Sequence, residues 1–126
     1  MITLYGIPNC DTVKKARVWL TAQGLAYIFH DFKKQGVPQA RLACWASSMG
    51  GDKLLNRNGT TWRKLSVADQ ARAAGADGAL TLMLNYPSLI KRPVVEWNPE
   101  ALTAVTAGFD AAIWTANAKN AKNSAK

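Results

Sequence analysis

The chain predicts an α/β fold on a mixed four-stranded sheet, in the order β-α-β, helical insertion, β-β-α. Three observations carry this. The first thirty residues alternate strand, helix and strand, and a crossover of that length implies parallel pairing. The stretch from about 38 to 90 reads as helices and loops. Two β-branched runs then flank Asn98-Pro99 before a last helical segment, as in an antiparallel hairpin. At 126 residues the chain suits one domain able to bury roughly two-thirds of its unfolded surface.

Ile2 to Tyr5 is a β-branched and aromatic run closed by Gly6 and Pro8. Asp11 and Thr12 are N-cap types, and Val13, Ala16, Trp19 and Leu20 follow at helical spacing until Gly24. Ala26 to Asp31 is the second strand. Past Gly36-Val37-Pro38, Leu42, Trp45 and Met49 form one helical stripe, stopped by Gly50-Gly51. Leu54 to Leu65 is rich in Asn, Gly and Thr and reads as a loop. Ser66 with Asp69 caps a short helix through Ala74. Asp77 to Asn85 forms another, ended by Pro87. Pro93 to Trp97 and Leu102 to Ala107 are the hairpin strands, and Asp110 caps a final helix through about Ala118, burying Ile113 and Trp114. The expected domain is 1–118, with its helical insertion at about 38–90 and a disordered tail at 119–126.

Composition bounds the function. With 48% hydrophobic and 19% charged residues, the chain is no solvating or disordered segment. Sixteen Lys and Arg against eight Asp and Glu leave +8, which favours an anionic partner. Three of those charges fall in the run Asn117 to Lys126, which has no apolar residue larger than Ala. That run suits a solubilising tail better than a nucleic-acid arm. Two cysteines are too few for a disulfide scaffold, and no run approaches a membrane span. A cytoplasmic protein with reduced thiols is expected.

Cys10 carries the chemistry. It stands between a strand-ending loop, Gly6-Ile7-Pro8-Asn9, and a helix start. A thiolate there meets unsatisfied N–H groups and the positive end of the helix dipole. Lys14, Lys15 and Arg17 add charge of the same sense. Such surroundings can lower a thiol pKa from about 8.5 to between about 3.5 and 7.5, and Asp11 opposes the shift, so only its direction is predicted. A structural cysteine belongs in mid-strand or mid-helix instead.

The absences narrow the reaction. Val13 fills the place of a second cysteine in a Cys-x-x-Cys pair. Ala16 stands where a phosphatase loop needs arginine. One His and two distant Cys offer no metal-ligand spacing, so no metal is expected. His30 sits in a strand pattern as a core-edge residue. Cys44 falls away from the Leu42, Trp45, Met49 stripe and reads as a bystander.

Three blocks make the chain resemble the YffB-type branch of the ArsC/Spx family. They are Tyr5 to Thr12 with Lys14-Lys15-Ala16 and Trp19-Leu20; Leu54-Leu55-Asn56 with Gly59 to Leu65; and Pro87 to Pro93. The resemblance implies a thioredoxin-like fold, Cys10 as the active thiol and Pro93 as a cis-proline facing it. It further implies that Arg57, Arg63, Arg92, Pro93 and Lys14 bind glutathione or an oxyanionic substrate. There are departures. Gly6 stands where arsenate reductases carry His, Arg57 is one position out of register with Asn58 in place of a basic residue, and no arginine follows Pro93. They favour a monothiol, glutathione-dependent thiol-disulfide oxidoreductase acting on a disulfide or small oxyanion. Two alternatives stay open: arsenate reduction with glutathione and a glutaredoxin, or an Spx-like RNA polymerase-binding regulator lacking the Cys-x-x-Cys switch.

Overall fold

The computed structural model describes residues 2–98 and 104–124, with backbone alone for 121–124. It divides into two compact units, Met1–Gly36 with Arg92–Lys126, and Val37–Lys91. The first holds the sheet and the second is helical.

In the sheet unit, β1 (Ile2–Gly6) pairs in parallel with β2 (Tyr27–Asp31) through α1 (Asp11–Ala22). β3 (Val94–Glu96) runs antiparallel to β1, and β4 (Val105–Ala107) antiparallel to β3, giving the order β2-β1-β3-β4. The mixed sheet is the one the sequence predicts. Of the expected hairpin, residues 99–103 lie outside the described residues, as do Leu102 and Thr103 of the expected last strand.

Strand alternation sorts side chains between the two sheet faces. Ile2, Leu4, Val95 and Trp97 join Val13, Ala16 and Leu20 of α1 and Trp114 and Ala118 of the last helix, α8 (Ala111–Ser124), in one buried cluster. Trp114 is fully buried, with the rings of Trp19, Trp97 and Phe109 edge-on at centroid distances of 5.6, 5.0 and 4.8 Å. Its indole Nε1 has no hydrogen-bond acceptor among the described residues, a cost that burial of so large a ring offsets.

Asp110 caps α8 as expected, its Oδ1 accepting from the N–H groups of Ala112 and Ile113 at 3.0 and 3.2 Å. Two expectations for this helix fail. Ile113 is 51% exposed, because helical neighbours point about 100° apart and Trp114 takes the inward direction. The helix also continues to Ser124, past the expected end near Ala118 and into the run expected to be a tail. Ala and Lys are strong helix formers, so backbone bonding extends a helix already started. After β2 comes an unforeseen turn of helix, α2 (Phe32–Gln35). Asp31 caps it by accepting from Lys33 N at 2.9 Å, and Gly36 ends it with φ 74°.

The helical unit comprises α3 (Gln39–Met49), α4 (Gly51–Leu54), α5 (Thr60–Lys64), α6 (Val67–Arg72), α7 (Ala76–Asn85) and a 3-10 turn, Pro87–Leu89. The expected loop Leu54 to Leu65 is thus helical at both ends. α7 packs against α3, α4, α6 and the 3-10 turn. Its Gly78 meets α6 so closely that an added Cβ would lie 2.0 Å from the Arg72 carbonyl oxygen. A short antiparallel bridge, Leu55 with Ile90, joins two separated segments. Asn56 N donates to Leu89 O and Lys91 N to Leu54 O, both at 2.7 Å.

Candidate active site at the start of the first helix

Cys10 is itself the N-cap residue of α1, with extended φ −101° and ψ 122°. Asp11, expected to cap, is instead the first helical residue. The Cys10 carbonyl accepts from Lys14 N at 2.9 Å, while its side chain makes no capping bond. The sulfur therefore sits at the helix entrance, where first-turn N–H groups lack intrahelical partners. The thiol is free, half-buried, and packed against the sheet unit's core.

Gly6 lets strand and helix close on this point. An added Cβ would lie 2.8 Å from Val13 Cγ2, so β1 and α1 approach too closely for any side chain without movement of Val13. That explains the residue standing where arsenate reductases carry His.

Arg92 and Pro93 leave the same end of the sheet. Tyr5 pairs with Val94 in the β1–β3 register, which puts Pro93 beside the Gly6 end of β1. The Arg92–Pro93 peptide bond is cis, and the Pro93 carbonyl accepts from Gly108 N at 2.9 Å. Arg92 is half-buried, with a buried Nε that has no hydrogen-bond partner among the described residues. Lys14, one turn into α1, is exposed.

The two other predicted arginines belong to the helical unit and are exposed. Arg57 donates to Asp52 at 3.1 Å and lies 5.4 Å from the Trp62 ring centroid. Arg63 donates through Nη2 to the Asn58 carbonyl at 3.2 Å. Each thus has a local partner that the sequence did not announce.

His30 lies 2.8 Å through Nε2 from the Gly36 carbonyl, which can only accept, so that nitrogen carries the proton. Cys44 is half-buried on α3. Sequence reasoning missed a buried pair within the sheet, Tyr5 O–H donating to Glu96 Oε1 at 2.6 Å. No local motif links residues so far apart in the chain. It also treated Arg17 as diffuse charge, whereas that guanidinium rests on aromatic rings.

A mixed sheet with a thiol at the entrance of its crossover helix and a cis-proline at the same sheet end defines a thioredoxin-like domain. Residues 5–116 match the model of the ArsC family, to which the chain belongs. A solved YffB protein is 42% identical with TM-score 0.82, covering 93% of this chain and 98% of that one. The solution structure of an arsenate reductase (ArsC) related protein from Brucella melitensis is 43% identical with TM-score 0.71, over 91% and 92% of the two chains. The global transcriptional regulator Spx of Streptococcus pneumoniae is 26% identical over 75% of this chain and 71% of its own. Among the described residues, no helix is long and apolar enough to cross a membrane.

Proposed function

We propose that the protein is a monothiol thiol-disulfide oxidoreductase that uses Cys10 as nucleophile and glutathione as reductant. The observation that carries this is a free thiol at the N-cap of α1 that makes no capping bond of its own. The Cys10 thiolate attacks one sulfur of a disulfide, forming a mixed disulfide and expelling the other sulfur as a thiolate. A first glutathione thiolate attacks the Cys10 sulfur of that mixed disulfide, expelling the second substrate sulfur as a thiolate and leaving Cys10 joined to glutathione. A second glutathione thiolate attacks the glutathione sulfur of this adduct. This releases oxidised glutathione and restores Cys10. Two glutathione thiols supply the two electrons, and the substrate disulfide is reduced to two thiols. The half-buried Arg92, with an Nε unpartnered among the described residues, is the guanidinium best placed at this sheet end to meet a carboxylate or oxyanion. Lys14 adds a second charge. Arg57 and Arg63, in the helical unit, each commit one terminal nitrogen to a local partner, Asp52 and the Asn58 carbonyl.

The test is intact mass after exposure to oxidised glutathione. One glutathionyl adduct is expected on the wild type and on Cys44→Ser, and none on Cys10→Ser. An adduct that persists in Cys10→Ser and vanishes in Cys44→Ser would overturn the assignment.

Arsenate reduction is the second reading, favoured by similarity to the arsenate reductase related protein. A histidine at position 6, as in that chemistry, would require Val13 to move, since its Cβ would lie 2.8 Å from Val13 Cγ2. Turnover of arsenate with glutathione and a glutaredoxin, lost in Cys10→Ser, would establish it.

A further inference from the structure

We propose that Arg17 is a specificity-determining residue of the Cys10 site, binding a carboxylate of the disulfide partner. This rests on the reading of Cys10 as the thiol that forms mixed disulfides. The Arg17 guanidinium carbon lies 4.3 Å from the Phe29 ring centroid and 6.0 Å from that of Tyr27. Its Nε donates to the Tyr27 hydroxyl at 3.1 Å. Ring contact and hydrogen bond together fix a normally mobile group, so little rotamer freedom is left to lose on binding.

The fixed fork is unfilled. Among the described residues no carboxylate pairs with Arg17, and Tyr27 is its hydrogen-bond partner through Nε. Its two terminal nitrogens therefore present the planar edge that accepts a carboxylate in two parallel bonds. An arginine serving only to cover Phe29 and Tyr27 would pack its stem in the same way, so packing by itself does not separate the two roles.

Position relative to Cys10 supplies the reason for a ligand. Lys14 and Arg17 share one stripe of α1, four and seven residues after the N-cap Cys10. At 1.5 Å per residue, Arg17 lies about 10 Å along the helix axis from the thiol. Glutathione carries its thiol on its central residue, and from that sulfur the extended γ-glutamyl arm, nine bonds to its carboxylate oxygen, reaches about 10 Å. A glutathione-sized thiol joined to Cys10 thus reaches Lys14 and Arg17 with its carboxylates, whereas a small uncharged thiol reaches neither.

The experiment compares Arg17→Gln and Arg17→Lys with the wild type, following the rate of Cys10 adduct formation by intact mass. The two probes are oxidised glutathione and bis(2-hydroxyethyl) disulfide, which carries no charge. Arg17→Gln is expected to slow the glutathione reaction about tenfold, the size of one lost charge-assisted contact. It should leave the neutral reaction within about twofold, and Arg17→Lys should fall between. Added salt should shrink the difference between the probes. Equal slowing with both disulfides would assign Arg17 to packing and overturn the proposal, as would no slowing with either. A wild type that takes neither disulfide on Cys10 would instead overturn the underlying reading of the thiol.

Discussion

The sheet unit and the helical unit bury their apolar side chains by different means. In the first, a paired β-register and a cluster of large rings fix each element against several others. In the second, three of the five helices have four to six residues, far too few to hold alone, and their order comes from α7 and the Leu55–Ile90 bridge. The thiol stands in the first, at the junction of β1 and α1. Arg57 and Arg63 stand in the second, on exposed short pieces. A group that must attack along one line needs the better-determined backbone, whereas long cationic side chains tolerate looser support.

Three substitutions break this contrast, in falling order of expected effect. Trp114→Ala empties the ring cluster of the sheet unit and should cost about 3–5 kcal/mol, read as a fall in the urea midpoint by far-ultraviolet circular dichroism. A loss below about 1 kcal/mol would show that the rings do not carry that unit. Gly78→Ala strikes the helical unit at a backbone oxygen that no rotamer change can move away. The expected loss is about 2–3 kcal/mol, with amide exchange in 37–91 rising more than in β1 and β3. Uniform acceleration over both units would show that they open together. Gly6→Ala presses on a side chain and should cost about 1–2 kcal/mol, most of it recovered by adding Val13→Ala. Additive losses in the double variant would place the strain elsewhere.

The sheet was legible because its signals were local: β-branched runs, a helical stripe and Gly or Pro at each end. Asp110 and Ser66 caps were legible for the same reason, since side chain and amide lie within three residues. Cys10 was legible as a site by its place after a glycine-proline loop. Its role as the cap was not, because Asp11 is the better capping type and only backbone angles separate the two positions. The short helix α5 within the expected loop Leu54 to Leu65 has no side-chain cap and follows the turn-forming run Asn56 to Gly59. The Tyr5–Glu96 pair spans 91 residues, and the Arg17 shelf depends on the β1–β2 register, so neither has a signature in a window of sequence.

The missing capping bond at Cys10 separates bond exchange from stability. Were the sulfur to hold a first-turn amide, each change of its covalent partner would remove that bond, and α1 would lose up to about 1 kcal/mol at every turnover. Here the carbonyl of Cys10, not its side chain, starts the helix by accepting from Lys14. The sulfur can pass from thiol to disulfide and back without loss of a capping bond, so the first turn of α1 should keep its amide-exchange protection in the oxidised and reduced proteins alike.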